Sequence, residues 1–172
     1  MITGLAHINL TVPEGTLSLA NEFYGETLGL TPRPVPSLQR GTLAWFDIIP
    51  EDEKQKQNTT NGDNAQNHGA SPSGSGSGSA SGPYQQVHIA FGPSKEFLPE
   101  NKSSRHPCFR LASPEALLQL RQRIWDHFVR GGEAAPREAD EPGTESSGAK
   151  GVEYPQRFFA RDYAGNRLEF SL

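Results

Sequence analysis

Three of the five histidines fall in short segments that alternate polar and apolar residues, the pattern of a half-buried strand. Side chains two apart on a strand share a face. In the first such segment Ile8, Leu10 and Val12 form an apolar face, and His7, Asn9 and Thr11 form the other. Further on, Val87, Ile89 and Phe91 oppose Gln86, His88 and Ala90. In the second half Pro107, Phe109 and Leu111 oppose His106, Cys108 and Arg110. In the last segment Leu168, Phe170 and Leu172 oppose Arg167, Glu169 and Ser171. Four strands therefore each place one metal-competent residue, His7, His88, His106 or Glu169, opposite the core.

A sheet curled around that polar face would bring the four to one divalent ion. Imidazole nitrogen with carboxylate oxygen suits Zn, Ni, Co, Mn or Fe(II). One carboxylate offsets part of the ion's charge, and a catalytic centre would leave positions open for water or substrate. A single strand histidine is more often a half-buried polar residue than a ligand. Three of them at matching places in two halves favour the ligand reading. His68 and His127 are expected in solvent, on an insert and a helix respectively. Cys108, the single cysteine, argues against a thiolate-rich zinc site and against a disulfide framework. It reads as a packing residue, with an oxidation-sensitive role left open by its place beside the metal face.

The elements that must position these residues occur twice. The first half reads as strand 5–12, helix 16–28, a short strand 34–38, and strands 43–49 and 84–91. The helix has Leu17, Ala20, Tyr24 and Leu28 on one face, and Gly29 ends it. The second half reads as strand 106–111, a helix from Ser113, and strands 157–161 and 167–172. Ser113 is a good N-cap, Pro114 suits the first helical position, and Glu115 favours the positive end of the dipole. Leu117, Leu120, Ile124 and Phe128 make the apolar face, and Gly131-Gly132 ends the helix. Residues 162–166 form the last turn. Neither half could close a core alone, so the two are expected to pair within one α+β domain, 1–172.

Two inserts interrupt the pattern. Residues 51–83 are polar and Gly/Ser-rich, with no aromatic side chain, and cannot offset their ordering entropy by burial. They read as a disordered loop. Residues 137–151 read as a weaker loop insert. Module 1 thus spans about 1–93 and module 2 about 104–172. Loop-closure cost changes by only about 0.6 kcal/mol per doubling of length. Replacing 51–83 with a short Gly/Ser turn should therefore leave the melting temperature within a few degrees. A deletion that abolished folding would mean that the stretch contains a structural element.

Composition narrows the partners. The 172 residues carry a net charge of −4 with no basic stripe, so nucleic acid is not expected. No apolar run is long enough for a membrane span. The N-terminus lacks the pattern of a signal peptide, and a cytoplasmic protein is the default expectation.

The segments around His7 (Gly4-Leu5-Ala6-His7-Ile8-Asn9-Leu10-Thr11-Val12), then Phe23-Tyr24 and Leu28-Gly29-Leu30, resemble the opening of vicinal-oxygen-chelate proteins, the glyoxalase, bleomycin-resistance and extradiol-dioxygenase group. Arg157-Phe158-Phe159-Ala160-Arg161-Asp162 followed by Gly165-Asn166-Arg167-Leu168-Glu169 resembles their closing motif, the more specific of the two. The resemblance covers nearly all the chain outside the inserts. It implies two βαβββ modules forming a curled, cup-like mixed sheet with helices on the outside. Glyoxalase-I-like members take ligands from four positions, matching His7, His88, His106 and Glu169. Extradiol dioxygenases and fosfomycin-resistance enzymes use three, matching His7, His106 and Glu169. His88 stands where Glu or Gln is usual in glyoxalase I, and Pro107 and the two inserts are also unusual. The implied activity is that of a glyoxalase-like lyase or isomerase, in which a metal chelates two adjacent oxygens of a small substrate and stabilises an enediolate. Glu169 would double as general base. The alternatives are an Fe(II) extradiol-type dioxygenase and a non-catalytic ligand-binding protein. A homodimer is implied, in some members with ligands from both chains.

Overall fold

The computed structural model describes residues 1–50, 53–54, 84–147 and 156–172. Most of the 51–83 insert, and residues 148–151 of the second one, lie outside the described residues.

Module 1 runs β1 (His7–Val12), a 3-10 turn (Leu17–Leu19) leading into a π-helical segment (Asn21–Thr27), β2 (Thr31–Arg33), β3 (Leu43–Asp47) and β4 (Gln86–Phe91). Its sheet has the order β1-β4-β3-β2, with β1 parallel to β4 and the other pairs antiparallel. Module 2 runs β5 (Cys108–Arg110), α1 (Pro114–Arg130), β6 (Glu138–Ala139), β7 (Arg157–Arg161) and β8 (Arg167–Ser171). Its sheet, β5-β8-β7-β6, repeats the same pattern. Two βαβββ modules of α+β class, as expected, thus form two four-stranded mixed sheets.

The predicted first helix forms, but with a widened turn: the Leu28 N–H donates to Phe23 O, five residues back. That spacing buries Phe23, Tyr24 and Thr27 together. Gly29, at φ 77°, lets the Leu30 N–H reach back to Tyr24 O. The strand expected at 34–38 is instead β2, Thr31–Arg33, followed by a 3-10 turn at Ser37–Gln39. Pro34 and Pro36 have no N–H to offer a ladder and fix φ, so the strand ends before them.

Ser113 caps α1 by accepting the Ala116 N–H, with Pro114 at its start. Leu117, Leu120 and Ile124 are buried as predicted. The last turn departs from expectation: Phe128 is 37% exposed, while His127 is only 1% exposed. His127 therefore continues the apolar stripe and is not solvated. Its Nδ1 lies 2.7 Å from Thr27 Oγ1 on the first helix, and Glu22 Oε1 lies 3.2 Å from Nε2. His127→Ala should cost roughly 1–3 kcal/mol in a denaturation experiment. Burial, and next the charge of Arg130, lower the His127 pKa against the opposing pull of Glu22 and Glu26. The neutral ring is thus the favoured folded form. Its contribution is whole above the unfolded value of about 6.5 and is lost as pH falls below it. His127→Gln should therefore lose less stability than wild type between about pH 7.5 and 5.5. Parallel pH curves for the two proteins would count against this assignment.

The expected loop 137–151 also contains structure. It carries β6, and buried Arg121 gathers it by donating to the main-chain oxygens of Asp140, Glu141 and Thr144. Asp140 accepts the N–H groups of Phe159 and Ser147. One hydrophobic core joins the modules, from Val12, Phe23, Phe46 and Val87 to Leu120, Phe158 and Phe170. No helix among the described residues is long and apolar enough to cross a membrane.

Candidate metal centre

Strand pairing places the two half-sites equivalently. His88 pairs with Asn9, two residues after His7; Glu169 pairs with Cys108, two residues after His106. Each half-site lies at an edge strand and its neighbour, opposite the core. The structure brings His7 to His88 and His106 to Glu169. Among the described residues no three of His, Cys, Asp and Glu lie close enough together to hold one ion.

His106 precedes β5 instead of opening it, and is fixed at both ring nitrogens. Nδ1 lies 2.7 Å from the main-chain oxygen of Ser104, and Nε2 lies 2.9 Å from Glu169 Oε2. Both neighbours accept hydrogen bonds, whereas a neutral imidazole has a single N–H. Nδ1–H serves Ser104. At 2.9 Å the Nε2–carboxylate contact is a hydrogen bond with a proton between the two atoms. The Ser104 contact is of the kind that fixes the tautomer of a metal-ligating histidine. The pair therefore fits a divalent ion.

Arg157 Nη1 donates to the other Glu169 oxygen at 3.0 Å. Burial alone would push this carboxyl up; hydrogen bonds from Arg157 and His106, with their charge, outweigh it and hold it below its ordinary value. Glu169 is thus ionised and oriented, and both oxygens are engaged.

The other half-site is an aromatic stack. His88 lies between His7, 4.2 Å away at 10°, and Trp45, 4.6 Å away at 10°. Gln86 Nε2 donates to Asp47 Oδ1 at 2.6 Å, which turns Gln86 Oε1 toward His88 Nε2, 2.9 Å away. His88 therefore carries its proton on Nε2. Burial, then the neighbouring His7, lower its pKa. Imidazole binds a metal through a lone pair in its ring plane at about 2.1 Å. Two rings stacked nearly parallel cannot both aim such a lone pair at one ion. His7 is exposed and can turn; His88 is held by Trp45 and Gln86.

A cleft of about 1150 Å³ runs between the modules past Asn9, Thr11, Arg105, Arg137 and Asn166, and none of the four candidate ligands lines it. Sequence reading missed Arg157 and Trp45 as neighbours of the candidates. The hairpin register could have supplied the first, since the 162–166 turn sets Phe159 opposite Glu169 and puts Arg157 on the same face.

No protein-family model matches the chain, and no curated protein matches it by sequence. Solved structures do match its fold. The genomically encoded fosfomycin resistance protein FosX from Listeria monocytogenes matches with TM-score 0.56 at 14% identity, over 99% of this chain and 90% of that one. A glyoxalase/dioxygenase from Nostoc punctiforme matches with TM-score 0.52 at 17% identity, over 97% and 88%. A glyoxylase/bleomycin resistance protein/dioxygenase domain from Frankia sp. matches with TM-score 0.51 at 17% identity, over 100% and 98%. The fold is that of the vicinal-oxygen-chelate proteins. Within that class the structures it matches are glyoxalase, dioxygenase, bleomycin-resistance and fosfomycin-resistance proteins.

Proposed function

We propose that the chain is a metal-dependent, glyoxalase-like lyase or isomerase acting on a small substrate with two adjacent oxygens. The observation that carries this reading is the His106–Glu169 pair, an imidazole nitrogen and a carboxylate oxygen 2.9 Å apart, both of which a divalent ion could take as ligands. Support also comes from FosX, a fold neighbour complexed with Mn(II) and 1S,2S-dihydroxypropylphosphonic acid. A divalent ion held by His106 and Glu169 would supply a fixed positive centre for two substrate oxygens. His106 and Arg157 hold the Glu169 carboxylate in place. Release of one of these contacts would let Glu169 take a proton from the carbon beside a substrate carbonyl.

The half-sites stay apart within one chain, so the third ligand is assigned to His7 of a second copy, in a homodimer. Mixing two defective proteins tests this. His7→Ala and Glu169→Ala should each fail to hold metal, whereas a refolded mixture should recover it in a fraction of sites, because one site of each mixed dimer is intact. A monomer mass in light scattering, or no recovery on mixing, would remove the shared site.

The oxidative alternative is an extradiol-type Fe(II) enzyme, which would use the same three residues, His7, His106 and Glu169, and leave His88 in its stack. Oxygen uptake by anaerobically Fe(II)-loaded protein on addition of catechol would favour it over the lyase. Ligand binding without turnover under either condition would favour a binding protein.

A further inference from the structure

The open face of the second sheet is rich in arginine. Strand register puts Arg110, Arg157, Arg161 and Arg167 on the side opposite the core, together with the carboxylates of Glu138 and Glu169. Both carboxylates are engaged. Glu169 holds Arg157 and His106; Glu138 holds Arg161 and Lys102. Arg161 also donates to the main-chain oxygens of Gly165 and Ser103, which makes it a structural tie.

Arg167 is different. It stands directly opposite Arg161 in the β7–β8 ladder, and among the described residues no carboxylate pairs with it. Like charges directly opposite each other destabilise a sheet, so this position costs stability. Its guanidinium lies over the Phe159 ring, 4.3 Å from the centroid. Phe159 is itself fixed. The His106 ring meets it edge-on at 5.5 Å, and Asp140 holds its main-chain N–H. A guanidinium seated on a rigid ring is a planar fork of donors already in place. Beside it is a recess of about 190 Å³ lined by Phe159, Arg161 and Arg167. Glu138 and Asp140 also line it, but Arg161 and Lys102 neutralise the first, and main-chain N–H groups occupy the second.

We propose that Arg167 is the substrate's anion fork, and that the substrate carries a carboxylate or phosphate-type group in addition to its two adjacent oxygens. Arg167 and Glu169 are two residues apart on one face of β8, about 6.6 Å along the strand, so one small molecule spans both. The placement of the oxygen end rests on the metal-centre reading above; the fork needs no metal.

The test uses metal-free, full-length protein at low ionic strength, titrated with inorganic phosphate and, separately, acetate, by calorimetry. Wild type should bind at least one of them saturably. Arg167→Met keeps an unbranched side chain and removes the charged fork, and should weaken binding at least about tenfold, as expected for loss of a charge-assisted hydrogen-bonded pair. Arg167→Lys should recover part of the loss. Arg40→Met, a charge change outside this face, should match wild type. Acetate alone binding indicates a carboxylate substrate, phosphate alone a phosphate-type one, and either supports the fork. No saturable binding, or an equal loss in Arg167→Met and Arg40→Met, overturns it. Mn(II) titration separates the two readings. Arg167-dependent anion binding in a protein that takes no metal would sink the metal centre and keep the fork. Normal metal affinity with no anion binding would do the reverse.

Discussion

Replacing His106 or Glu169 with Ala should lower affinity for the divalent ion by more than about 100-fold. Losing even an outer partner of a metal ligand costs about 10–100-fold, and these two residues are the pair proposed to hold the ion. His7→Ala should fall as far if His7 of a second copy completes the site as proposed. His88→Ala is the discriminating variant. If its ring serves the Trp45–His88–His7 stack, metal affinity should stay within a few-fold of wild type. If His88 is a fourth ligand, it should drop as steeply as the others. Chelator competition after reconstitution with Zn, Ni, Co, Mn and Fe(II) in turn reads all four variants. Wild type that binds none of these ions above background would leave the polar faces as lining for a ligand without metal.

The largest loss of stability is expected at Asp162, remote from the metal. Its carboxylate is fully buried and accepts four hydrogen bonds, from Tyr24 Oη at 2.6 Å, from the Asn166 side chain, and from the main-chain N–H groups of Ala164 and Asn166. Asp162→Ala would leave the Tyr24 hydroxyl and the Ala164 N–H unpaired in the buried core and remove one partner from each Asn166 donor, at a cost of about 3–5 kcal/mol. That is a large part of the roughly 5–15 kcal/mol that holds a domain folded. Tyr24→Phe removes one donor and should cost only about 1 kcal/mol. Urea denaturation of the two variants should show this order. Similar midpoints would mean that the core rearranges to rehydrate the site.

The duplicated order of strands and helices was legible because each core strand alternates cleanly and α1 has its cap and stop written in Ser113, Pro114 and Gly131. His7, His88, His106 and Glu169 were legible as core-opposed residues by the same alternation, and the structure groups them as two pairs. Other features left no periodic trace. Glu138–Ala139 is too short a strand to alternate, and Asp140 and Arg121 shape that loop by hydrogen bonds to main chain. The widened turn of the first helix shifted its buried face from Leu28 to Phe23 and Thr27. His127 was misplaced because polarity was weighed above its position on the stripe. Whether the half-sites meet depends on how the modules are arranged in space, which strand patterning does not encode.

The turn at Asp162 is shared between two jobs. Its carboxyl fastens the first helix through Tyr24, and Asn166 reaches Thr11 on β1; the strand leaving the same turn delivers Glu169. The two modules, though built alike, are consequently one folding unit. Loosening of the first helix or of β1 would break the contacts that hold the turn leading into the strand of Glu169, so stability and the placement of that carboxylate depend on the same few residues.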